Sequence, residues 1–235
     1  MSASAVKREL ETLGRPEKAR HYAGFFKTGP GEYGEGDVFI GVTVPEQRRI
    51  AREYSRLSLD EVDLLLHDRI HECRFTALLI LIRKFELAGA DEKKTIFDFY
   101  LSRTKYVNNW DLVDLSAPKI VGAYLLRNPG QRSILYSMSK SSDLWERRIS
   151  IMGTFPMIKN GRFEDALKIA AELLSDEHDL IHKAVGWMLR EVGKVDLIEE
   201  EVFLIQYYKT MPRTMLRYAV EKFEPRKRKL YLKRD

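Results

Sequence analysis

Residues 180–194 read LIHKAVGWMLREVGK. Ile181, Ala184, Val185, Met188, Leu189 and Val192 fall at i, i+3, i+4, i+7, i+8 and i+11, the apolar stripe that a helix lays on a core. The same spacing recurs through residues 4–13, 17–27, 46–57, 59–67, 71–87, 92–103, 109–126, 131–139, 144–158, 163–174, 198–210 and 213–223. Breakers such as Gly89, Asn128-Pro129-Gly130, Asn160-Gly161, Gly193 and Pro212 stand between them. The pattern predicts an all-α protein of about a dozen helices with no strand pair.

The helices repeat. Aligning residues 71–85, 109–123, 144–158, 180–194 and 211–225 gives starts 38, 35, 36 and 31 residues apart, each with a charged or polar opening, an apolar stripe and a short helix before it. Paired helices at that period predict an α-solenoid of HEAT-like repeats whose curved, concave wall takes one helix from every pair. The expected layout is a single domain over 1–235: N-terminal helices and a glycine-rich loop (1–44), repeats (45–223) and a basic tail (224–235). Residues 28–42, TGPGEYGEGDVFIGV, carry five glycines without the order or the preceding strand of a phosphate-binding loop, and read as a linker.

Composition narrows the function classes. With 44% apolar residues the chain can fill a core, while 32% charged residues leave no run near the ~20 needed to span a bilayer. The N-terminus MSASAVKREL has no apolar block of a signal peptide, so a cytoplasmic protein, expected as a monomer with no membrane partner, is predicted. One cysteine, Cys73, excludes an internal disulfide, and the five histidines do not cluster with acids at ligand spacing, so no metal and no cofactor is expected. Nine of the Lys and Arg residues lie within 212–235 against three acids, so the net charge of +5 sits in that terminal patch, as a phosphate-binding surface requires.

Four side chains on the aligned helices stand out. In NNWDLVD, residues 108–114, Asn108 or Asn109 suits a helix cap and Asp111 the positive end of the dipole. That leaves Trp110 and Asp114, which share a face at i and i+4. Trp187 lies away from its helix's apolar stripe, between Lys183 and Arg190, where a ring flanked by cations suits a nucleic-acid backbone. Arg148 falls inside the apolar stripe of its helix and needs a carboxylate or phosphate partner, an acid on the previous repeat such as Asp114 being the structural alternative. Packing between repeats is the corresponding alternative for both tryptophans.

Trp110-Asp111-Leu112-Val113-Asp114, Trp145-Glu146-Arg147-Arg148 and residues 184–191, AVGWMLRE, together resemble the DNA alkylation repair family, the AlkD-like DNA glycosylases. Residues 26–29 with 34–42, and Pro45-Glu46-Gln47-Arg48-Arg49, resemble that family's N-terminal signature, and the likeness spans about residues 16–223. The resemblance implies a solenoid that grips duplex DNA and hydrolyses the N-glycosidic bond of cationic alkylated purines, 3-methyladenine and 7-methylguanine, without flipping the base into a pocket. It implies Asp114 as catalytic carboxylate, Trp110 and Trp187 flanking the lesion sugar, and Arg148 on the backbone. Apart from the resemblance, Arg147, Lys183, Arg190 and Arg213 are expected as further DNA contacts. Relatives often carry a second tryptophan where this chain has Asn109. The competing classes are a non-catalytic solenoid for damaged or branched DNA and a protein-interaction scaffold.

Overall fold

A computed structural model describes residues 1–233; Arg234 and Asp235, the end of the expected basic tail, lie outside the described residues. The protein is all-α, a helical-repeat fold. The one extended pairing among the described residues is an isolated bridge of Val38 with Ile70. No helix among them is long and apolar enough to cross a membrane. The chain divides into two compact units, Met1–Ser116 and Ala117–Asp235.

The first unit is built around helix His71–Leu87, which buries both its apolar face and the polar side chains of its first turn, and packs against Val44–Glu53, Leu59–Leu66, Ala90–Leu101 and Trp110–Ser116. Its neighbours start where their caps dictate. Ser58 Oγ accepts from the Glu61 amide, and Thr43 with Glu46 forms a capping box ahead of Pro45. The glycine-rich segment is more than a linker. It folds back so that the Glu72 carboxylate accepts from the amides of Ile40, Gly41 and Val42, at 3.1, 2.8 and 3.3 Å. Gly41 has φ +84° and its backbone lies against the Arg15 carbonyl and Ala19 amide, with no room for a side chain.

In the second unit helix Asp179–Gly193 is central, flanked by Leu144–Met152 and Arg213–Ala219, so three of the aligned helices pack side by side as the repeat predicts. Gly186 is the point of closest approach: a Cβ there would run into the Met215 carbonyl and the Tyr218 side chain. The basic stretch closes this unit as helix Pro225–Leu232, capped by Glu224.

Two expected helices are interrupted. The span 109–126 appears as Trp110–Ser116, a π-turn Pro118–Gly122 and Ala123–Arg127. Pro118 has no amide to donate and its ring crowds the preceding turn, and the Gly122 amide instead reaches back five residues to the Ala117 carbonyl at 2.9 Å. The span 144–158 breaks into Leu144–Met152 and Phe155–Lys159, where Gly153 precedes a turn and Pro156 fits the first turn of the next helix.

Candidate functional site

In the first unit Trp110 and Asp114 lie one turn apart on helix Trp110–Ser116, both half-buried. The helix start is fixed from below by buried polar groups. Asn109 is fully buried; its Oδ1 accepts from the Trp110 amide at 2.8 Å and its Nδ2 donates to Asp37 at 3.3 Å. Asp111 accepts from the Leu112 amide through Oδ1, and its Oδ2 lies 2.8 Å from His71 Nε2. His71 Nδ1 lies 3.2 Å from Asp37, which also receives Arg74 Nη2 at 2.6 Å.

Burial alone would lower the His71 pKa, but the Asp111 charge and the bonds to Asp111 and Asp37 outweigh it and raise it above the usual imidazole value. Asp37, which burial would raise, is held below the usual carboxylate range by His71, Arg74 and Asn109. The result is an imidazolium clamped between two carboxylates directly beneath the Trp110 turn.

Aromatic rings cover this network. Trp110 stacks on Phe26 with ring centres 5.2 Å apart, Phe26 on Phe39 at 5.0 Å, and Phe39 on His71 at 4.5 Å. Phe25, 58% exposed, stands edge-on to Trp110 at 5.9 Å. Asp114 raises the pKa of the Tyr100 phenol, adding to the larger effect of that ring's burial.

In the second unit Arg148 is buried in the stripe where its spacing put it and donates to the Leu180 carbonyl. Trp187 is half-buried, its indole donating to Glu191 at 3.2 Å. Burial would raise Glu191, but Lys159 and Lys194, at 2.7 and 2.5 Å, keep its carboxylate below the usual range. The flanking cations of Trp187 are engaged: Lys183 with Asp179 at 2.6 Å, Arg190 with Glu221. Arg147 holds Asp176 at 2.6 Å and the carbonyls of Ser141 and Ser142, while Arg213, exposed, reaches the Leu232 carbonyl at 2.7 Å.

A family profile described as DNA alkylation repair enzyme matches residues 6–223. The chain belongs to that family. Among solved structures it is similar to a predicted DNA alkylation repair enzyme from Enterococcus faecalis, with a TM-score of 0.73 and 16% identity over 91% of this chain and 98% of that one. It is also similar to AlkD2 from Streptococcus mutans, with a TM-score of 0.57 and 17% identity over 95% and 97% of the two chains. A third likeness, to smu.31 from Streptococcus mutans UA159, has a TM-score of 0.52 and 19% identity over 94% and 98%. At these identities the solved structures speak for the fold. The comparison with curated proteins returned no match.

For this member of the family, the sequence left His71, Asp37, Phe25 and Phe26 without a role. His71 read as one of five unclustered histidines because its partners lie 34 and 40 residues away. The adjacent pair Phe25-Phe26 at a helix end was the one local signal available. Asn109 is a buried strut of the Trp110 turn and not part of the exposed surface.

Proposed function

We propose that this DNA alkylation repair family member is a monofunctional DNA glycosylase acting on cationic alkylated purines such as 3-methyladenine and 7-methylguanine in duplex DNA. The observation that carries the reading is the Trp110–Asp114 turn: a partly exposed indole face and a carboxylate one turn apart, on a helix start that the Asp37–His71–Asp111 network and Asn109 hold rigid. A site that stabilises charge in a transition state needs that preorganisation.

The chemistry asks little more. An N-alkylated purine already carries positive charge and leaves as a neutral base with the glycosidic electron pair. The deoxyribose left behind develops oxocarbenium character, which the Asp114 carboxylate stabilises while the Trp110 face attracts the same cation. Water adds at C1′ and gives up its proton, so one glycosidic bond breaks and one C–O bond forms without metal, cofactor or covalent nucleophile. In the second unit Trp187 keeps a partly exposed indole, whereas Arg148, buried on the Leu180 carbonyl, acts through the protein and not on the DNA backbone that the resemblance gave it. Lys183, Arg190 and Arg213 supply salt-dependent affinity for duplex DNA. Arg147, with its guanidinium committed to Asp176 and two carbonyls, shapes the surface next to Arg148.

Incubation with a duplex carrying 7-methylguanine, beside the same duplex undamaged, tests the reading. Release of free 7-methylguanine with first-order kinetics in the enzyme-bound duplex is expected; a duplex bound but left intact points to a DNA-recognition protein instead.

A further inference from the structure

Beside Trp110 the first unit holds a cavity of about 240 Å³, a feature the sequence did not indicate. Its walls include Phe25, Phe26, Phe39 and Tyr22, together with His71, Glu72 and Asp111. Two of these, Phe25 and Phe26, are the rings packed against Trp110, so the cavity adjoins the proposed catalytic face.

The volume selects the guest. At roughly 30 Å³ of liquid per water molecule it has space for about eight waters, and it falls just short of the ~300 Å³ at which drug-sized ligand sites begin. A fused bicyclic ring fits. The lining selects further. Aromatic faces favour a planar π-system. The lining offers carboxylate acceptors: Glu72 Oε1 takes three backbone amides and its Oε2 only the Ile40 amide, while each Asp111 oxygen carries one bond and keeps a lone pair, and that carboxylate is 14% exposed. Both His71 nitrogens are already committed to carboxylates. The guest therefore presents N–H donors along one edge.

Helix Pro16–Phe25 supplies three of the lining residues, His21, Tyr22 and Phe25. It has no buried residue, and it is pinned at its start, where Arg15 pairs with Glu46 at 2.5 and 2.8 Å and the Arg15 amide bonds the Ile40 carbonyl at 2.7 Å. Its far end carries Phe25 and leads through Phe26 into Lys27, whose φ of +52° turns the chain away.

We propose that this cavity receives the free purine base released at Trp110, stacked against the Phe25, Phe26 and Tyr22 rings with its N–H edge on Asp111. The inference rests on the glycosylase reading for the identity of the base, but not for the existence of the site. It makes the base, once cut, a ligand in its own right and the enzyme subject to inhibition by its product.

The test is calorimetric titration of the whole protein, without DNA, with free 7-methylguanine. Two variants fill the cavity from exposed lining positions and leave Trp110 and Asp114 untouched: Val44→Trp, in the first turn of its helix, and His21→Trp, on helix Pro16–Phe25. Saturable 1:1 binding by the wild type, weakened at least about tenfold by either folded variant, supports the site. No binding at millimolar base, or binding unchanged in both variants with native melting curves, overturns it. Base release from the damaged duplex is measured separately on the same wild-type preparation. Release without free-base binding removes the cavity proposal and leaves the glycosylase standing; binding without release does the reverse.

Discussion

Nε2 of His71 lies 2.8 Å from Oδ2 of Asp111, joining the start of the longest helix of the first unit to the first turn of the helix that carries Trp110 and Asp114. Because the folded pKa of His71 is raised, its contribution to stability is fully present below the unfolded value near 6.5. It is lost as pH climbs through the higher folded value. His71→Gln leaves Asp37 and Asp111 without the cation between them and is expected to cost about 3 kcal/mol at pH 6. The gap to wild type narrows toward pH 9, as urea unfolding at the two pH values would show.

Phe26 ties Trp110 to this network through ring stacking at 5.2 Å. Phe26→Leu keeps most of the apolar volume but removes the aromatic pair, worth about 0.5–1.5 kcal/mol. Base release should slow by roughly threefold to tenfold, with duplex affinity nearly unchanged. An equal loss of affinity and rate would mean that Phe26 acts in binding and not in orienting Trp110.

Gly186→Ala tests the packing of the second unit. The added methyl meets the Met215 backbone, which cannot rotate away, so a loss of about 2 kcal/mol or more is expected in denaturant unfolding. The control Gly130→Ala, where nothing lies within 4 Å, should be close to neutral.

Glu200 is buried, its Oε1 has no hydrogen-bond partner, and burial together with the Glu201 charge pushes its pKa up to about 8. An acid whose folded pKa exceeds its unfolded value binds more protons folded, so the wild type loses stability as pH rises from about 4.5 to about 8. Glu200→Gln removes that loss. Its Tm should match wild type near pH 5 and exceed it by several degrees at pH 9.

Much of this was legible in the sequence, because helical periodicity is a local property. The stripe from Ile181 to Val192 fixed the central helix of the second unit, and residues 71–87 matched helix His71–Leu87 to the residue. The breaks at Pro118 and Gly153 were missed because the apolar stripe runs on through them, whereas the amide missing at a proline acts on the hydrogen bonds alone. The buried position of Arg148 was readable from its place in the stripe. The His71 clamp was not, since two carboxylates from distant segments give an isolated histidine no signal in its own neighbourhood. Nor was the commitment of Arg147 to Asp176, 29 residues away, or of Lys183 to Asp179, which spacing alone does not separate from free cations.

On the proposed reading Asp114 performs chemistry beside Trp110 and is more than a structural acid. The most direct test of that role is single-turnover release of 7-methylguanine by the Asp114→Asn protein, with duplex binding measured on the same preparation. Affinity within about threefold of wild type is expected, with release slowed by at least about a hundredfold, the scale seen when one group stabilising a developing charge is removed. Release at the wild-type rate by a variant that binds and folds normally would contradict that role.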